Sequence, residues 1–142
     1  MNTKTKKTGG AVRAAENTID TVQKANAYID ALENTVTRVR LAGSNAGKIV
    51  KGYIGKEQYT EFATAYAVLF CNEHGLTGAD VPRVSHLFRE TLLASGLYHT
   101  VDSWRRDFYP CAEIVDSEPD CVNEFGEDVE CVKLEDGRYA VM

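Results

Sequence analysis

The sequence predicts an α+β fold: a long N-terminal amphipathic helix, a three-helix module, and a C-terminal antiparallel β-hairpin. Three observations predict it. Apolar residues recur every three or four positions from Val12 to Val39. Further helical runs follow between residues 56 and 108, each with a recognisable start or stop. Near the end, Asp136-Gly137 separates two short alternating segments, the pattern of a tight hairpin.

A chain of 142 residues is one domain, or one domain with an arm. At this size roughly 70% of the unfolded surface can be buried, so neither disulfides nor metals are needed to hold a core. Residues 1–10 are polar, contain Lys4, Lys6 and Lys7, and end in Gly9-Gly10. They read as a flexible basic arm. No apolar stretch follows the lysines, so no secretory signal is expected.

Residues 11–42 carry the stripe Val12, Ala15, Ile19, Val22, Ile29, Leu32, Val36 and Val39. Asp20 and Lys24 form an i,i+4 pair on its polar face. The early part fits heptads, and Asn26 falls where a coiled coil places a core polar residue. Ile19, Val22, Asn26 and Ile29 are therefore candidate contacts for a partner or a second copy. Thr35-Val36-Thr37-Arg38-Val39 is rich in β-branched residues, so the helix can stop near Asn34 and a strand follow.

Residues 43–55 form a Gly/Lys-rich loop with Gly43, Gly47, Gly52 and Gly55 beside Lys48 and Lys51. Gly43 to Lys48 looks at first like a phosphate-binding loop. It is one residue short, and Ile49 stands where a magnesium-ligating hydroxyl is required. Contact of Lys48 and Lys51 with phosphates, without hydrolysis, is the reading retained.

Residues 56–142 form the helical module and acidic hairpin. Tyr59, Phe62, Ala63, Tyr66, Leu69 and Phe70 give one apolar face, closed by Gly75. Asp80 is placed to cap the next helix, with Pro82 in its first turn. Val84, Leu87, Phe88 and Leu92 face inward, and Gly96 ends that helix. Thr100 caps a short helix through Val101, Trp104 and Phe108, before Pro110. Cys111 to Val115 is a candidate strand. A two-residue type I′ turn at Asp136-Gly137 would pair Leu134 with Tyr139 and Val132 with Val141, on one apolar face.

Composition narrows the function. The 44% hydrophobic and 26% charged fractions are those of globular proteins. No apolar run reaches the ~20 residues of a membrane span, so no membrane partner is expected and the location is read as cytoplasmic. Cys71, Cys111, Cys121 and Cys131 are then expected as free thiols in a reducing compartment. The net charge of −5 is unevenly spread. Residues 1–56 hold ten Lys/Arg and four Asp/Glu, whereas residues 110–142 hold two and ten. Such polarity points to a polyanionic partner, an acidic tail, or attraction between the two ends.

The run Gly96-Leu97-Tyr98-His99-Thr100-Val101-Asp102-Ser103-Trp104-Arg105-Arg106, with the helix before it, carries a glycine turn, a capped second helix, a valine and a tryptophan. In these features residues 80–108 resemble a helix-turn-helix DNA-binding module. The resemblance implies that the second helix enters a major groove, exposing His99, Thr100, Asp102, Ser103, Arg105 and Arg106 to bases and phosphates. The hairpin would then make it a winged helix. The chain departs from that pattern in a turn one residue short, a long first helix, Asp102 and Asp107 on the reading face, and a loop carrying Glu124, Glu127, Asp128 and Glu130. Arg38 and Arg40, with Lys48, Lys51 and the arm, offer a second surface for phosphates that would not read sequence.

Cys71 and His74 share a helix end, but no second close pair completes a zinc site, and no metal or cofactor is expected. No stretch sets a nucleophile beside a base and an orienting group, so no catalytic residues are assigned and the chain is not read as an enzyme. The expected function is a non-catalytic regulatory or accessory protein binding nucleic acid or a nucleic-acid-processing machine. Two alternatives stand beside it. One is a structural protein oligomerising through its N-terminal helix. The other is an acidic inhibitor that imitates nucleic acid, of the kind viruses encode.

Overall fold

The computed structural model describes residues 18–35, 52–95, 99–119 and 131–142, together with the backbone of residues 39–40 and 49–50. The architecture is α+β. Helix α1 spans Val22–Asn34, α2 Tyr59–Glu73 and α3 Val81–Ala94. Helix α4 begins at Val101–Ser103 and continues as a wider π turn, Trp104–Phe108, and a 3-10 turn, Tyr109–Cys111. Strands β1 (Val39–Arg40) and β2 (Ile49–Val50) pair antiparallel. Strands β3 (Glu113–Val115), β4 (Cys131–Lys133) and β5 (Tyr139–Val141) form a second antiparallel sheet in the order β3-β5-β4.

Local chemistry sets the helix ends. The Thr21 hydroxyl accepts from the Lys24 amide at the start of α1. Gly75 takes φ 69 after α2. It allows Leu76 N–H to reach the Cys71 carbonyl and Gly75 N–H to reach that of Asn72, a Schellman closure. At α4, Thr100 and Ser103 exchange side-chain and backbone bonds as a capping box. Asp80 is different. Its side chain caps nothing at α3. Thr77 instead satisfies the Ala79 amide at the 3-10 turn just before α3.

Helix α2 is the centre of the molecule. A single apolar face was expected there, yet Ala65, Ala67, Val68 and Cys71 are buried along with Tyr59, Phe62, Ala63, Tyr66 and Phe70. Small side chains on the remaining faces let α1 and α3 approach closely, and a helix apolar all round must be covered all round. Helix α1 seals one side with Ala25, Ile29 and Leu32. Helix α3 seals another with Val84, Leu87, Phe88 and Leu92. Trp104, fully buried, joins α4 to this core. It stacks on Phe108 and meets Phe62 and Phe88 edge-on, with ring centroids 5.5–5.8 Å away. Burying side chains of this size contributes about 1.5–3 kcal/mol each before entropy is subtracted.

Three expectations need correction. The described helix starts at Val22, where Thr21 caps it, and not at residue 11; residues 11–17 lie outside the described residues. The Gly/Lys-rich stretch contains strand β2, which β1 pairs with. The C-terminal hairpin is out of register by one with the type I′ arrangement: Val132 pairs with Ala140 and Lys133 with Tyr139. Leu134 receives the Gly137 amide at 3.1 Å and donates to the Arg138 carbonyl at 2.7 Å. Gly137, at φ 96, is thus the third loop residue, after a turn centred on Glu135 and Asp136. A one-residue slip exchanges faces, so Ala140 is buried where Tyr139 was expected. The third strand, β3, pairs with β5 and turns the hairpin into a sheet.

Candidate functional site

The surface singled out by the sequence is the outer face of α4. Thr100 and Ser103 are committed to the capping box, and the Ser103 hydroxyl also donates to the Thr100 carbonyl. Arg105, half exposed, donates to Glu33 of α1 at 3.2 Å. Arg106 lies between two carboxylates. Its Nε and Nη2 reach Asp107 at 2.9 and 3.0 Å, and its Nη1 lies 3.4 Å from Asp102. That pairing raises the arginine and holds Asp107 below the ordinary carboxylate value. Two cations and two anions lie within residues 102–107, so little positive potential is left to meet phosphates.

His99 corrects the expectation of an exposed reader. It is 1% exposed. Its ring meets Tyr59 and Phe108 edge-on, and its Nε2 lies 2.7 Å from the Ser95 hydroxyl. Burial lowers its pKa, with the Leu92 carbonyl opposing. No nucleophile was expected beside a base, yet Ser95 sits beside His99. Neither cleft described below is lined by Ser95 or His99.

The candidate association residues of α1 divide. Ile29 is 2% exposed and lies in the chain's own core. Ile19 and Val22 are half-buried against that core, and Asn26 is exposed. The inward face runs through Ala25, Ile29 and Leu32, so Asn26 points away from the position a coiled-coil seam would give it. Lys48, Lys51 and Arg38 lie outside the described residues, as does the side chain of Arg40. The question of whether the lysine-rich start meets the acidic stretch 120–130 also falls outside them.

Tyr66 and Trp104 each bury a polar atom, Oη and Nε1, without a hydrogen-bond partner among the described residues. Arg105 faces Tyr66 without reaching hydrogen-bond geometry, and burial dominates in raising the phenol. Tyr109 donates to Glu73 at 2.9 Å, tying the end of the α4 segment to α2. Cys71 is buried and its thiol is pushed up to about 11 by burial, then by Asp80. It is a core residue; His74 is exposed and packs on Phe70. Among the described residues no group of three or more His, Cys, Asp or Glu is arranged to hold a metal.

Among the described residues two clefts lie elsewhere. One, of about 520 Å³, runs between the segment just before α1, α2 and the first turns of α3. Ile19, Val81 and Pro82 give its apolar lining; Thr64, Ser85 and Arg89 give polar groups. Thr64 and Ser85 hydroxyls share a 3.0 Å bond, and Arg89 reaches Thr60 and Glu90. Its volume is in the range of small-ligand pockets. Sequence reasoning missed it because its walls come from three separate segments and no contiguous motif marks them. The second, about 170 Å³, is lined by Asp80, Glu135, Asp136 and Arg138. There the buried Asp80 carboxylate accepts from Arg83 at 3.0 Å and from the Glu135 amide at 2.8 Å.

No protein-family model, curated protein or solved structure matches the chain. Among the described residues no helix is long and apolar enough to cross a membrane.

Proposed function

We propose that the chain is a non-catalytic accessory or regulatory protein that binds a protein of a nucleic-acid-processing machine, using carboxylates against a basic surface. One observation carries this choice over direct reading of a duplex. All five arginines whose side chains are described are already ion-paired within the chain: Arg83, Arg89, Arg105, Arg106 and Arg138. In contrast, Asp30, Glu61, Glu113, Asp116 and Glu118 are exposed and make no ion pair among the described residues. Binding duplex DNA requires cations free to replace counterions, and among the described Lys and Arg side chains only the exposed Lys56 and Lys133 lie outside ion pairs. Exposed carboxylates instead favour a cationic protein surface and speed encounter with it.

The test has two arms. Labelled duplex is titrated with the full chain at about 50 mM salt, where phosphate-driven binding is strongest. Partners that copurify at low salt are compared between the native chain and a Glu113→Lys/Glu118→Lys variant. The expected result is that Arg105→Ala and Arg106→Ala leave any duplex binding unchanged, while charge reversal releases a nucleic-acid-binding protein. Steeply salt-dependent duplex binding that collapses in either arginine variant would establish direct reading and overturn the proposal.

A further inference from the structure

His99 is placed where four segments meet. From α3 come the Ser95 hydroxyl, 2.7 Å from Nε2, and the Leu92 carbonyl. From α2 comes the Tyr59 ring, with its centroid 6.3 Å away. From the π turn of α4 comes Phe108, at 5.1 Å. The segment before α2 holds the histidine's own backbone: Ile54 N–H donates to the His99 carbonyl at 2.7 Å, and Tyr53 bridges to Thr100. Thr100, next in sequence, is the cap of α4.

We propose that His99 is an acid-sensitive latch: as a neutral imidazole it fastens α4 to α3 and α2, and its protonation opens that junction. Among the described residues the titratable group packed on the ring is the Tyr59 phenol, which burial pushes up to about 12, so it is uncharged near neutrality. Among the described residues no carboxylate acts on the ring to balance an imidazolium. A cation caged by Tyr59 and Phe108 loses its hydration and gains only the Ser95 and Leu92 oxygens.

The direction with pH follows from linkage. In the unfolded chain the imidazole takes up its proton near the ordinary 6.5, whereas burial lowers that point in the fold. The stabilisation is complete above 6.5 and is lost as pH falls from there towards the lower folded value. For one proton, the unfolding constant rises by as much as about tenfold per pH unit in that window. Opening at this junction would uncap α4 at Thr100 and loosen Trp104, its anchor.

The full chain would be unfolded in urea from pH 8 to pH 5, alongside His99→Gln. The native chain should lose stability below pH 6.5 with a slope about one proton steeper than the variant. Backbone amides of residues 101–104 should exchange faster at pH 5.5 than at 7.5, before those of α2. Parallel pH profiles for the two chains, or α2 and α4 opening together, overturn the latch. Should His99→Gln fail to fold, NMR titration of the native imidazole decides. A ring still neutral at pH 6.5 supports the latch, and one that titrates at or above 6.5 with the fold intact refutes it.

Discussion

Asp80 separates a local account of this protein from a tertiary one. Its place before Val81 makes it an N-cap by sequence, but its carboxylate holds the C-terminal sheet. One oxygen accepts from the Glu135 amide at 2.8 Å, 55 residues away, and from Arg83 at 3.0 Å. The side chain is 4% exposed and that of Arg83 is 44% exposed. A bond from an amide to an ionised, buried acceptor contributes about 1.5–3 kcal/mol. The half-exposed ion pair adds at most about 1 kcal/mol. Asp80→Ala should therefore cost about 2–3 kcal/mol. Asp80→Asn keeps an acceptor for Glu135 but not the charge, and should cost about half of that. An N-cap behaves otherwise: alanine costs about 1 kcal/mol, and asparagine is as good as aspartate. Urea denaturation followed by the single tryptophan gives the totals, and hydrogen exchange in β4 and β5 shows where the loss falls. If asparagine proves neutral, or protection falls at the start of α3 rather than in the sheet, the latch from Asp80 to the sheet is wrong.

Ile29→Asp should destabilise the monomer by several kcal/mol, because it buries a carboxylate among Ala25, Leu32 and α2; a change in light scattering with an unaltered denaturation midpoint would contradict this. Asn26→Ala, on the exposed side of α1, should change stability by less than about 0.5 kcal/mol in the same assay. Trp104→Ala should cost about 3–5 kcal/mol, since the ring is fully buried among Phe62, Phe88 and Phe108. Trp104→Phe should cost clearly less, because it also removes the unpartnered Nε1; calorimetry showing equal losses for the two variants would contradict that account.

Much of the fold was legible because it is written in short-range chemistry. Gly75 ends α2 because φ 69 is open to glycine at no steric cost. Thr100 and Ser103 lie three apart and cap each other. Val84, Leu87, Phe88 and Leu92 repeat with the helical period and turn inward together. The candidate site was far less legible. Arg105 and Arg106 look like free cations in a string of letters. Glu33, which pairs with Arg105, comes from 72 positions away. Asp102 and Asp107 were visible as neighbours, but only side-chain geometry shows both closed on Arg106.

The sequence by itself determined the ends of helices marked by Asn34, Gly75 and Thr100, which stripes are apolar, and that a turn lies at Gly137, since each depends on residues within one or two turns of chain. Tertiary structure decided which polar groups remain available. His99 is buried because Tyr59, Phe108 and Ser95 converge on it, Asp80 is a latch because Glu135 folds back to it, and Ile29 is core because α2 lies beneath it. A side chain's charge and hydrogen-bonding capacity are intrinsic, but whether they face water is set by neighbours that are distant in sequence.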